Sequence, residues 1–138
     1  MTIFNSNKAA EPVGAYPHSR RFGNLLFLSG IGPRKKGEKE IPGVVKHDIK
    51  VQTESVIDNI RYVLEESGLG LEHIIDIQVF LTNMDRDFKE FNEAYASTFK
   101  DLRPTRTTVQ VTSLPTPISV EFKVIAGFPD EKEVSEFY

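Results

Sequence analysis

The chain has no cysteine, no tryptophan, two methionines and three histidines in 138 residues. Without cysteine there is no disulfide, no thiol nucleophile and no Cys-ligated zinc, including the deaminase type whose metal needs a cysteine pair. His18, His47 and His73 lie too far apart in sequence to form a metal motif. The expectation is therefore chemistry with no metal and no cofactor. Basic excess is missing too: 17 Lys and Arg stand against 20 Asp and Glu, a formal charge of −3, whereas nucleic-acid surfaces carry a basic stripe. The one dense basic patch, Arg34, Lys35, Lys36 and Lys39, is diluted by Glu38 and Glu40 and reads as a solvated loop. No apolar run reaches 18 residues, and MTIFNSNKAAEPVG lacks the basic start and apolar core of an export signal. A cytoplasmic protein with neither a membrane nor a nucleic-acid partner is expected.

What is present is enough for one core: 39% of residues are hydrophobic and 10% aromatic, which suits a single domain over residues 1–138. Residues 1–13 read as a flexible or edge-lying arm, and 15–30 as two strands around a turn at Gly23 and Asn24. Residues 31–47 carry glycine and proline breaks and read as a loop with a short strand near Val44 and Val45. Asp48 caps a helix whose apolar stripe runs Ile49, Val56, Ile57, Ile60, Val63, Leu64 and stops at Gly68. Residues 73–84 are rich in β-branched and aromatic side chains, as strands are. A second helix over about Arg86 to Lys100, capped by Asp85, repeats Phe88, Phe91, Ala94, Tyr95 and Phe99. The charged tail FPDEKEVSEFY is left unassigned. The order β-β-(β)-α-β-α-β-β describes an α+β fold, a mixed sheet backed by two helices on one face. The other face would be bare unless a further subunit met it, so a dimer or closed ring is expected.

The segment LRPTRTTVQVTSLPTPISVEFKVIA, residues 102–126, reads as two alternating strands around a turn containing Pro115 and Pro117. On the first, Thr107, Val109 and Val111 oppose Arg106, Thr108 and Gln110; on the second, Ile118, Val120, Phe122, Val124 and Ala126 oppose Ser119, Glu121 and Lys123. Paired as an antiparallel hairpin with apolar sides inward, they put Arg106 and Glu121 on one shared polar face. Such a pair is either a solvated cross-strand contact or a fork that grips a carboxylate beside a carboxylate that positions water.

With GAYPHSRRFGNLLFLSG, HDIKVQTESVIDNI, VFLTNMDRDFKEFNEAY and RPTRTTVQV…LP…VEFKVIA in order, the chain resembles the Rid, or YjgF, family of enamine/imine deaminases over about residues 12–127. The resemblance implies a fold like the bacillus type of chorismate mutase, three subunits in a ring and active sites between neighbours. It implies that Arg106 holds a substrate carboxylate, that Glu121 positions or activates water, and that Tyr16 assists. Ser29, Gly30, Asn92, Thr107 and Thr108 complete the substrate-binding set. Tyr16 as an interface aromatic, Ser29 and Gly30 as a strand end and Asn92 as a solvated helix residue are the plain structural alternatives.

Two departures bear on substrate. Gly14-Ala15-Tyr16-Pro17-His18 stands where the broad iminopropanoate/iminobutanoate deaminases have G-P-Y-S-Q, and Thr108 stands where they often have cysteine. This wording looks more like the 2-aminomuconate deaminase branch, whose dicarboxylate would need a second donor. His18, Arg20 and Arg34 are the candidates. General 2-iminobutanoate/2-iminopropanoate deamination is the second reading, and non-catalytic binding of small carboxylates a third from a different class.

Overall fold

A computed structural model describes residues 2–129; the remainder of the charged tail, 130–138, lies outside the described residues. In chain order the elements are β1 (Ile3–Phe4), β2 (Ser19–Phe22), β3 (Leu25–Leu28), α1 (Ile49–Glu66), a 3-10 turn (Leu71–His73), β4 (Ile74–Leu81), α2 (Met84–Phe99), β5 (Thr105–Gln110) and β6 (Val120–Gly127). They form one α+β domain whose six strands run in the order β1-β2-β3-β6-β4-β5. Both helices bury their apolar stripes against the face carrying Leu26, Leu28, Ile77, Val79, Phe122 and Val124.

Local chemistry accounts for most elements. Asp48 accepts the Lys50 and Val51 N–H groups at the start of α1, and Gly68, at φ +81, follows its end. The β2–β3 hairpin turns at Gly23, whose φ of +60 suits a residue without Cβ. At α2 the cap is Asn83 rather than Asp85: the Asn83 side chain accepts Arg86 N–H, so the helix begins two residues earlier, and Asp85 and Asp87 sit in the first turn facing its dipole.

Two expectations fail here. No strand forms near Val44 and Val45; residues 42–47 are turns. The extra strand is β1, where the arm pairs with β2 through Ile3↔Arg20. More consequentially, β5 and β6 are not a hairpin. β4 lies between them, parallel to β5 and antiparallel to β6. The unit β4–α2–β5 is a helix crossover, the connection parallel neighbours require, and the proline-bearing segment after β5 carries the chain past β4 to its far side.

The sheet face away from the helices is uncovered and apolar over a wide area. Phe22 (67% exposed), Leu25, Phe27 and Val109 all stand on it. No helix among the described residues is long and apolar enough to cross a membrane.

Candidate functional site

The residues expected at the site fall into two groups. The first lies where the segment after β3 passes over β6. Ile31 exchanges backbone hydrogen bonds with Phe122, 2.9 Å in each direction, which brings Gly30 against the Glu121 side chain. Tyr16, Gly30, Gly32, Arg34, Pro115, Thr116 and Glu121 line a cleft here. Tyr16 is 41% exposed, and its phenol accepts the Val13 N–H at 3.2 Å. Glu121 is half-buried, and burial raises its carboxyl above the ordinary carboxylate range.

Gly30 packs directly against that carboxyl. A Cβ there would stand 2.7 Å from Glu121 Oε2 and 3.0 Å from its Cδ, so the flexible end of Glu121 would have to move aside. Gly30→Ala should therefore displace the carboxyl and lower turnover, while changing stability by only about 0.5 kcal/mol, as an exposed substitution does. Thermal melting measured beside turnover checks this: equal turnover in wild type and variant would contradict it.

The second group lies at the β5 edge. The Arg106 guanidinium stacks over the rings of α2, 4.6 Å from the centroid of Tyr95 and 5.3 Å from that of Phe91, contacts that orient a planar cation and leave its edge free to donate. Asn92, half-buried, sits on the same helix between those two rings in sequence. The Thr108 hydroxyl and the Tyr95 phenol are buried and make no hydrogen bond among the described residues, an arrangement proteins normally avoid. Burial raises the Tyr95 phenol above its usual value, despite the nearby Arg106 charge. By sequence Tyr95 belongs to the apolar stripe of the second helix; its polar end is the signal that periodicity alone does not carry.

Within one chain the two groups do not meet. Arg106 pairs with Ile77, a fully buried residue of the helix-covered face. Glu121 pairs with Phe80, which alternates with buried Val79 and Leu81 and so faces the other way. Arg106 and Glu121 therefore lie on opposite sheet faces, against the shared face expected from alternation. The error is one of polarity on β5. Arg106 and Thr108 face the helices at the sheet margin, where α2 offers aromatic rings and polar groups, while Thr107 and Val109 are exposed on the bare face.

Other candidates are accounted for by the arm. His18 is 6% exposed; its Nδ1 accepts Ser6 N–H at 2.9 Å, so the other ring nitrogen, Nε2, donates to the Ala10 carbonyl at 2.8 Å. Both nitrogens are engaged in pinning residues 6–10. The Ser29 hydroxyl donates to the Pro17 carbonyl at 2.7 Å, which makes it a tie between strand end and arm. Arg20 is exposed on β2 and paired across to Phe27, on a strand outside the cleft lining. Among the described residues no group of three or more His, Asp or Glu could hold a metal ion.

Comparison with known proteins agrees with this architecture. The Endoribonuclease L-PSP family model matches residues 6–128. A RutC family protein of Sulfurisphaera tokodaii is 42% identical over 126 residues, covering 91% of this chain and 97% of its own. The structure of E. coli TdcF with bound serine superposes with a TM-score of 0.85 at 30% identity, covering 94% of this chain and 100% of that one. YyfA from Yersinia pestis, of the Rid protein family, gives a TM-score of 0.83 at 32% identity over 91% and 98% of the two chains. The chain thus belongs to the endoribonuclease L-PSP family, the group that also carries the YjgF, RutC and Rid names.

Proposed function

We propose that this protein is a hydrolytic deaminase of an enamine or imine carboxylate, with each site assembled between two copies of the chain in a homotrimer. The observation that carries the reading is the Glu121 carboxyl: half-buried, raised by desolvation and seated against Gly30 beside Tyr16. A carboxyl so held is a better base near neutral pH than a solvated one. The two half-sites on opposite faces support assembly between copies, and the bare apolar face around Phe22 and Phe27 supports a further copy covering it. A related structure, TdcF, holds serine, a small carboxylate.

In this mechanism Arg106 of one copy grips the substrate carboxylate through paired N–H donors and fixes the neighbouring C=N carbon. Glu121 of the adjacent copy takes a proton from water as its oxygen bonds to that carbon. Proton transfer to nitrogen then lets the C–N bond break, giving a ketone and ammonia. An enamine is first protonated at carbon to the imine. Thr108, on the same face of β5 as Arg106, Asn92 on α2 and Tyr16 in the Glu121 cleft would hold the substrate from either side. The 2-aminomuconate type is the favoured substrate class, with 2-iminobutanoate and 2-iminopropanoate second.

The test is ammonia release from each of these, generated in place and compared with spontaneous hydrolysis. Acceleration is expected, greatest for the aminomuconate; activity on iminobutanoate alone would reverse that order. Acceleration of none, with small carboxylates still bound, would favour a non-catalytic binder. The family's endoribonuclease name makes RNA cleavage the remaining alternative, disfavoured by the acidic balance.

A further inference from the structure

Arg34 shares the cleft of Tyr16, Gly30 and Glu121, and its backbone is unusually well fixed. Three consecutive carbonyls are held by α1. Asn59 Nδ2 donates to Gly32 O at 3.0 Å and to Arg34 O at 2.7 Å, and Ser55 Oγ donates to Pro33 O at 2.7 Å. Ser55 and Asn59 are 3% and 2% exposed, polar residues placed in a core face that apolar ones would otherwise fill. The result is a stiff mount for the next side chain.

That side chain is charged and makes no ion pair among the described residues. Nη2 donates to the Glu11 backbone carbonyl at 2.6 Å. The Glu11 carboxylate is engaged elsewhere, 3.3 Å from Lys36. A guanidinium has five N–H donors, and this bond uses one of them. The cleft also holds Glu121, which would repel a second substrate anion unless a cation stood near. Of the three donors weighed for a second carboxylate, His18 is consumed by the arm and Arg20 lies outside the cleft lining.

We propose that Arg34 is the specificity-determining residue of this site, binding a second carboxylate of the substrate at the end remote from Arg106, so that the protein selects diacids over monoacids. The substrate chemistry rests on the deaminase reading; the binding selectivity does not. Calorimetric titration of the wild-type oligomer with hexanedioate and hexanoate tests it. The diacid should bind roughly tenfold or more tightly, the range of a charge-assisted bond.

Arg34→Gln removes the charge and the reach of the guanidinium while keeping a polar side chain. It should bring the two ligands to about equal affinity, by weakening hexanedioate far more than hexanoate. Arg34→Lys should keep part of the preference, and Arg106→Ala should weaken both ligands alike. A wild type without diacid preference, or an Arg34→Gln variant that retains it, overturns the proposal. Failure of ammonia release with the preference intact would instead overturn the deaminase reading alone.

Discussion

Replacing Arg106 by alanine should lower kcat/KM for ammonia release by about 10²–10⁴-fold, since two charge-assisted bonds of ~1.5–3 kcal/mol each are lost along with substrate orientation. Arg106→Lys should remain impaired by about 10²-fold, because an ammonium restores charge without the planar fork. Stability should change little by comparison. Arg106 lies at the sheet margin, and its stacking on Tyr95 and Phe91 contributes about 0.5–1 kcal/mol at such a site. Steady-state kinetics beside thermal melting separates the two effects. A lysine variant with wild-type kinetics would mean that Arg106 supplies only charge, and an active alanine variant would remove it from the site.

Glu121→Gln should reduce kcat by about 10²–10⁴-fold, the usual contribution of a positioned general base, while making the protein more stable at neutral pH. The sign follows from burial. Desolvation raises the folded-state pKa of Glu121, so this residue's contribution is most favourable below its unfolded value, near 4.3. It is lost as pH rises through the raised folded value. Glutamine carries no such penalty. The melting advantage of the variant should therefore appear above the ordinary carboxylate range and vanish in acid, and it should be modest because the carboxyl is only half-buried.

Wild-type kcat/KM should climb with pH through the same raised value, and the residual activity of the variant should lack that limb. Melting curves that differ equally at all pH values would argue that Glu121 acts through shape rather than ionisation.

Local chemistry was readable from the chain. The stripe and Asp48 cap of α1, the β2–β3 turn at Gly23, the β-branched and aromatic composition of β4 and the alternation of β6 are all local, and the structure has the elements they predict. Sheet order was not readable, because alternation says which residues share a face but not which strand is the neighbour. β5 and β6 adjoin in sequence, yet β4 separates them.

The polarity of β5 was misread for a related reason. Thr107 and Val109 are the more apolar set, but at an edge strand the helix-covered side ends in the rings of Phe91 and Tyr95, which suit a guanidinium as well as an aliphatic chain. The hold of the Ser6 and Ala10 backbone on the His18 ring was not legible, because the arm shows no regular pattern. Gly30 and Glu121 were both expected at the site, though nothing in their spacing foretold that the two would pack directly against each other.

The reading as a whole depends on Arg106 and Glu121 serving one site from two chains, since a single chain holds them on opposite faces. Arg106→Ala and Glu121→Gln chains, each inactive alone, should be unfolded together, refolded as a mixture and assayed for ammonia release. In a randomly mixed ring, about a quarter of the sites take an intact Arg106 from one chain and an intact Glu121 from its neighbour, so about a quarter of wild-type activity should return. A mixture as inactive as its separate components, with mixed oligomers demonstrated by mass, would contradict the account.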